Sequence, residues 1–229
     1  MAKRHGQQIT KPLQDKVLTP LAVVIGTGPS LNDCADLLRD MQGRGKAFLL
    51  GCNDTWQDFE LDCWLACDPD WHKINGPVFL EHCDQWHWDK DVCRSGSYRY
   101  IEGRWADGLS TDLDWISFGH SSGWQLLNLA VHYNRRGMVG SPILLVGYDM
   151  TYENAPERHY FKGISDVDGE YEKPLRKQSL FAKPDGTGLL YDYKHIADQC
   201  ERGEIPQIIN CTPKSAMEWF PIRELKDYA

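Results

Sequence analysis

The segment Leu21-Ala22-Val23-Val24-Ile25-Gly26-Thr27-Gly28-Pro29-Ser30-Leu31-Asn32-Asp33 constrains the fold more than any other part of the chain. Its continuous apolar start, rich in β-branched residues, reads as a strand buried on both faces. Gly26 and Gly28 then allow a sharp turn and a close approach of backbone to ligand, because no Cβ intervenes. Pro29 and Ser30 open a helix whose apolar positions Cys34, Leu37, Leu38 and Met41 keep helical spacing. Ser30 with Asp33 has the form of a capping box. Strand, glycine turn and helix N-terminus leave unpaired N–H groups facing one spot, which suits a phosphate or carboxylate. A dinucleotide fingerprint has a third glycine where Leu31 stands, and a P-loop has a following lysine that is absent here.

Composition narrows the partners. The 229 residues hold 25 Lys+Arg against 33 Asp+Glu, a formal net charge of −8. Direct DNA binding is not expected from that balance without a local basic patch. The start Met1-Ala2-Lys3-Arg4-His5-Gly6 carries no apolar signal core, and no run reaches membrane-span length. The expected location is the cytoplasm. Eight cysteines fall short of disulfide-scaffold density. Cys63, Cys67, His72, His82, Cys83, His87 and Cys93 form a cluster in sequence, but their spacing matches no paired Cys-x-x-Cys zinc pattern. They read mainly as reduced core residues, with a structural zinc as the second reading.

Strands alternate with helices along the chain. Ala47–Leu50 and Cys63–Cys67 read as the second and third strands, and Ile143–Val146 as a fully buried one. Helices are expected over Trp124–Arg135, Tyr193–Arg202 and Lys214–Phe220, with a strand at Gln207–Asn210. The fold class is α/β: a Rossmann-like three-layer arrangement with a mostly parallel sheet and an irregular lid segment. Residues 1–20 form an N-terminal extension and 21–229 a single domain. Within it, 75–117 reads as an irregular tryptophan-rich insertion containing a strand-like Tyr98-Arg99-Tyr100-Ile101, and 151–188 as the lid. Polar residues gather at the carboxyl ends of the strands: Asn53 and Asp54, Asp68 and Asp70, Tyr148 and Asp149, and Thr212. Such sheets bind ligands at that edge.

The ordered set Gly26-Thr27-Gly28-Pro29-Ser30-Leu31, Cys52-Asn53, Ser122-Gly123, Leu145-Val146-Gly147-Tyr148-Asp149 and Asn210-Cys211-Thr212-Pro213-Lys214-Ser215 carries a resemblance. It resembles the Rossmann-like superfamily of the bacterial family 42 sialyltransferases and the archaeal-type 6-hydroxymethylpterin diphosphokinases. Phage- and prophage-encoded members look most alike, which would place the protein in a host cytoplasm. His159-Tyr160-Phe161 is similar to the His-aromatic-Phe element of those members. The likeness extends over most of Leu21 to Phe220.

The sialyltransferase resemblance implies a nucleotide site at Gly26, Thr27, Gly28, Pro29, Ser30, Asn53, Ser122 and Gly123, with Asp149 and Thr212 beside it. It also implies a lid histidine as base and tyrosines on the leaving phosphate. Here those are His159 with Tyr148, Tyr152 and Tyr160, and His195 is a rival base. A neutral imidazole suits removal of a proton from an acceptor hydroxyl. The first functional expectation is therefore a glycosyltransferase-like enzyme that takes a nucleotide-activated sugar and requires no cofactor. Asp68-Pro69 is similar to the metal-nucleotide element of the pterin kinases. The alternative is a Mg²⁺-dependent pyrophosphokinase with Asp68, Asp70 and Asp149 as oxygen ligands. Arg158, Lys162, Arg176 and Lys177 would then clamp phosphate from the lid. A non-catalytic nucleotide-binding module is a third reading. The expected partner is a nucleotide or nucleotide-sugar, with a homo-oligomer left open.

Overall fold

The structure is a computed structural model that describes residues 19–67, 71–72, 75–96, 98–119, 121–150 and 189–229. The first half contributes β1 (Leu21–Ile25), α1 (Ala35–Gly43), β2 (Ala47–Cys52), β3 (Cys63–Leu65), β4 (Asp84–His87) and α2 (Lys90–Ser95). Then come β5 (Arg99–Tyr100), β6 (Glu102–Arg104), β7 (Trp115–Ser117), α3 (Ser122–Arg135), β8 (Gly140–Val146), α4 (Leu189–Glu201) and β9 (Ile208–Asn210). Seven strands form one sheet in the order β5-β4-β3-β2-β1-β8-β9, and every pairing is parallel. β6 and β7 make a separate parallel pair.

Strand periodicity explains the layers. Val23 and Ile25 of β1 join Leu144 and Val146 of β8 in one core, against Leu38 and Met41 of α1. Ala22, Val24, Ile143 and Leu145 point the other way, into a core shared with Leu126, Leu127 and Ala130 of α3 and Ile196 of α4. Burying each such Val, Leu or Ile contributes about 1.5–3 kcal/mol, so the sheet is held from both faces. This is the expected Rossmann-like three-layer α/β arrangement. The chain builds outward from β1 to β5, then returns to the opposite side of β1 with β8 and β9. The junction of β1 and β8 is therefore the topological switch point.

Three local expectations change. In the 75–117 segment the strand-like stretch around Arg99–Tyr100 does form β5, but β4 is not expected from the pattern, and together they continue the main sheet. Asp84-Gln85-Trp86-His87 lacks β-branched residues, and its polar side chains are placed by tertiary bonds. Gln85 bridges the Leu80 amide and the Val78 carbonyl, while Tyr133 of α3 donates to Asp84 at 2.7 Å. No helix forms over 214–220. There Asn210 donates to the Met217 carbonyl, and the Met217 amide donates to Ser215 Oγ, so side chains compete with helical pairing. The Ser30–Asp33 capping box is also not made. Pro29–Asp33 is a 3-10 turn without a side-chain cap, and α1 begins after it.

Candidate functional site

The glycine turn leaves β1 against the end of β8. Gly26 donates its amide to the Val146 carbonyl at 2.8 Å, and Gly28 donates to the Gly147 carbonyl at 2.9 Å. Ser30 then meets Asp149 twice, Oγ to Oδ2 at 2.8 Å and amide to Oδ1 at 3.3 Å. A Cβ on Gly28 would collide with that carboxylate, which is why glycine stands there. Thr27 lies between the two glycines, and Pro29 starts the 3-10 turn. The Leu31 amide returns to the Gly28 carbonyl at 3.2 Å. These bonds revise the expectation that Gly28 to Leu31 hold a donor phosphate. The protein's own carboxylate already fills the anion cradle, and a phosphate placed there would face like charge.

Asp149 is held on every side. Burial pushes its carboxyl above the usual carboxylate range, and the two Ser30 bonds pull it part of the way back. The Ala216 amide donates to the Asp149 carbonyl at 2.9 Å, and Ser215 Oγ donates to the Tyr148 carbonyl at 2.5 Å. Fully buried Thr212 accepts the Tyr148 amide at 2.9 Å. Thr212 is thus a positioning residue for the β8 end rather than a ligand contact.

Tyr148 also changes role. It is buried, its hydroxyl donates to the Gly123 carbonyl at 2.9 Å, and burial raises its pKa well above the usual phenol value. The hydroxyl therefore braces the start of α3 and does not reach out to a leaving phosphate. Ser121 caps α3, accepting from Trp124 through its side chain and from Trp124 and Gln125 through its carbonyl. The amides of Ser122 and Gly123 stand at the open end of this 14-residue helix, where its dipole favours an anion.

Asn53 completes the edge. It follows β2 in a left-handed conformation, φ 48°. Its carbonyl accepts from Trp64 Nε1 at 2.9 Å. Its side-chain Oδ1 is buried with no hydrogen-bond partner among the described residues. A buried acceptor left unpaired costs about 1–3 kcal/mol, so a ligand donor there would be strongly favoured. Neighbouring Asp54 is structural, accepting from Trp71 Nε1 at 3.0 Å.

His159, Tyr152, Tyr160, Asp68, Asp70 and the whole 151–188 lid lie outside the described residues, as do Arg158, Lys162, Arg176 and Lys177. His195 is exposed on α4, where it borders a cavity of about 330 Å³ with Trp105, Trp124 and Asp192. His72 and His87 stack edge to face at 4.8 Å, but among the described residues no group of three His, Cys, Asp or Glu side chains could hold a metal. Burial raises the thiols of Cys63 and Cys67, consistent with reduced core residues. No helix among the described residues is long and apolar enough to cross a membrane.

Fold and edge define a Rossmann-like α/β protein with its candidate site at the switch point of a parallel sheet. No family model, no curated protein and no solved structure matches the chain. Sequence reasoning gave no role to Ser215, placed only at the end of a motif, although it anchors Tyr148, nor to the cavity residues Trp105 and Trp124. A serine in a polar tail carries no local signal. Trp105, beside Asp107-Gly108, carried one that composition alone does not decode.

Proposed function

We propose that the protein is a glycosyltransferase-like enzyme that binds a nucleotide-activated sugar across the carboxyl ends of β1, β2 and β8. The observation that carries this reading is Asn53, which follows β2, the parallel neighbour of β1, and whose Oδ1 is buried without a partner among the described residues. An amino group of a nucleobase would satisfy it. The open amides of Ser122 and Gly123 would take the donor phosphate, and Asp149 would accept from a sugar or ribose hydroxyl. The resemblance to family 42 sialyltransferases supports the same assignment.

In the transfer, the acceptor hydroxyl oxygen bonds to the anomeric carbon while the bond from that carbon to the phosphate oxygen breaks. The electron pair leaves with the phosphate, and the hydroxyl proton passes to a histidine, His159 in this reading. No metal is required. The pyrophosphokinase alternative would use Asp149 with Asp68 and Asp70 around Mg²⁺. The two bonds from Ser30 leave each Asp149 oxygen one further lone pair, open to a hydroxyl in the first reading and to a metal in the second, so the nucleotide series below separates them.

A thermal-shift series with CMP, CDP, UDP, ATP and GTP, each with and without Mg²⁺, tests the proposal. A ligand at 100 times its Kd adds about 2.7 kcal/mol of stability. Stabilisation by a pyrimidine nucleotide without Mg²⁺, lost in Asn53→Ala, is expected. Binding of ATP or GTP only with Mg²⁺ would transfer the assignment to the pyrophosphokinase. No response to any nucleotide would overturn both.

A further inference from the structure

A second feature lies beside α3 and α4. Trp105, Asp107, Gly119, Trp124, Asp192 and His195 frame a cavity of about 330 Å³, within the range of small-ligand sites. Its wall is held rigidly. The side chain of Gln199 accepts from the Leu109 amide at 2.7 Å and donates to the Leu109 carbonyl at 3.0 Å. Asn128 Oδ1 accepts from the amides of both Ser110 and Ser117. Gly119 has φ +50°, and a Cβ there would strike the Trp124 indole, so the backbone can close over that ring only as glycine.

The lining chemistry selects a ligand. Among the described residues no lysine or arginine borders the cavity, whereas Asp107 and Asp192 do, a lining that disfavours a phosphate or other anion. Trp105 is 72% exposed and offers an apolar ring surface to a ligand. Trp124 is 2% exposed, borders the cavity, and its Nε1–H has no acceptor among the described residues. Carboxylates only accept when ionised and an indole N–H only donates, so the occupant must both donate and accept hydrogen bonds. An organic cation would suit the carboxylates and Trp105 but would bring no acceptor to Trp124.

We propose that this cavity binds a neutral sugar ring, stacked on Trp105, with its hydroxyls donating to Asp107 and Asp192 and accepting from Trp124. The proposal rests on the transferase reading only in making that sugar the acceptor. Aromatic contacts link the two regions. Trp124 and Tyr148 each pack edge to face on Tyr193, the neighbour of Asp192, with centroids at 5.3 and 6.2 Å.

Saturation-transfer NMR on the full chain with lactose, and no nucleotide present, tests it. Saturation of lactose is expected, falling at least fivefold in Trp105→Ala. Trp105 is exposed, so that change should leave the fold intact. Trp124→Phe keeps the ring packing, removes the N–H and should also weaken the signal. Lactose binding unchanged in both variants, or no saturation of lactose, methyl glucoside or N-acetylglucosamine, would overturn the proposal. Choline or cytidine saturating in a Trp105-dependent way in place of sugars would also overturn it, assigning the cavity to a cation or a nucleoside. Sugar binding lost while the nucleotide thermal shift persists would sink this inference alone. Sugar binding retained without any nucleotide response would sink only the transferase reading.

Discussion

Ser30 and Asp149, 119 positions apart in the chain, meet through two hydrogen bonds across the switch point of the sheet. One partner leaves β1 and the other leaves β8, so the pair locks the two strand ends that frame the candidate site. Removing the hydroxyl in Ser30→Ala should cost about 1.5 kcal/mol, as for a hydrogen bond to a charged group. It should also raise the Asp149 pKa further. Urea unfolding with nucleotide titration checks this, and affinity is expected to fall roughly tenfold, about 1.4 kcal/mol. Full stability with full affinity would show that the pair does not organise the site.

Two glycines should respond in opposite directions. A Cβ on Gly28 collides with the Asp149 carboxylate, whereas one on Gly43, within α1, meets nothing within 4 Å. Gly28→Ala should therefore destabilise by about 1–3 kcal/mol, as overpacking does, and abolish nucleotide binding. Gly43→Ala should stabilise by up to about 1 kcal/mol through helix propensity. Denaturant midpoints of the two variants decide the matter.

Asn128 is fully buried and ties the Ser110 loop to the end of β7, accepting from the Ser110 and Ser117 amides at 2.9 and 2.8 Å and donating to the Ser110 carbonyl at 2.9 Å. Asn128→Leu leaves two buried N–H groups without an acceptor, at about 1–3 kcal/mol each. A loss of about 2–5 kcal/mol in urea unfolding is expected, with β6, β7 and the cavity wall loosening first in hydrogen exchange. Uniform protection there would contradict the role assigned to Asn128.

Acid should weaken the fold below neutrality. Burial lowers His87 and His132 to about 4, and His72 adds to the effect at His87. Both are neutral in the native state but protonate near 6.5 once unfolded. The unfolded state therefore binds more protons between pH 6.5 and 4, and stability falls as pH drops through that window. Each histidine contributes a slope of up to about 1.4 kcal/mol per pH unit. Urea midpoints at pH 7.5, 6 and 5 test this against His132→Gln, whose slope should be shallower.

The base can be assigned by comparing His159→Asn with His195→Asn. His159→Asn should lower kcat by roughly 100-fold or more, within the range of general-base catalysis, with nucleotide affinity nearly unchanged. Equal activity in that variant and loss in His195→Asn would move the role to the imidazole at the cavity on α4.

The layers were legible from the run at Leu21–Ile25 and the one at Ile143–Val146, because a strand covered on both faces must be apolar at every position. The same rhythm put Asn53, Asp149 and Thr212 just past strand ends, and they do follow β2, β8 and β9. β4 was not legible, because its two buried positions, Gln85 and His87, are polar, and Gln85 is satisfied by the Leu80 amide and Val78 carbonyl, so no apolar–polar alternation marks the strand. The helix expected at 214–220 looked sound locally and lost to bonds of Ser215, whose hydroxyl accepts from the Met217 amide and donates to the Tyr148 carbonyl brought alongside by folding.

By itself the sequence determined the architecture: apolar periodicity is a local property, and it dictates which segments pair and which faces are covered. Only the tertiary structure decided the chemistry of the edge. Ser30 reads as a helix cap until Asp149 arrives from β8 to take its hydroxyl and amide. Tyr148 reads as a catalytic phenol until folding buries it against Gly123. In both cases the deciding term is the partner brought by folding, because a polar group taken from water must bond to whatever then lies beside it.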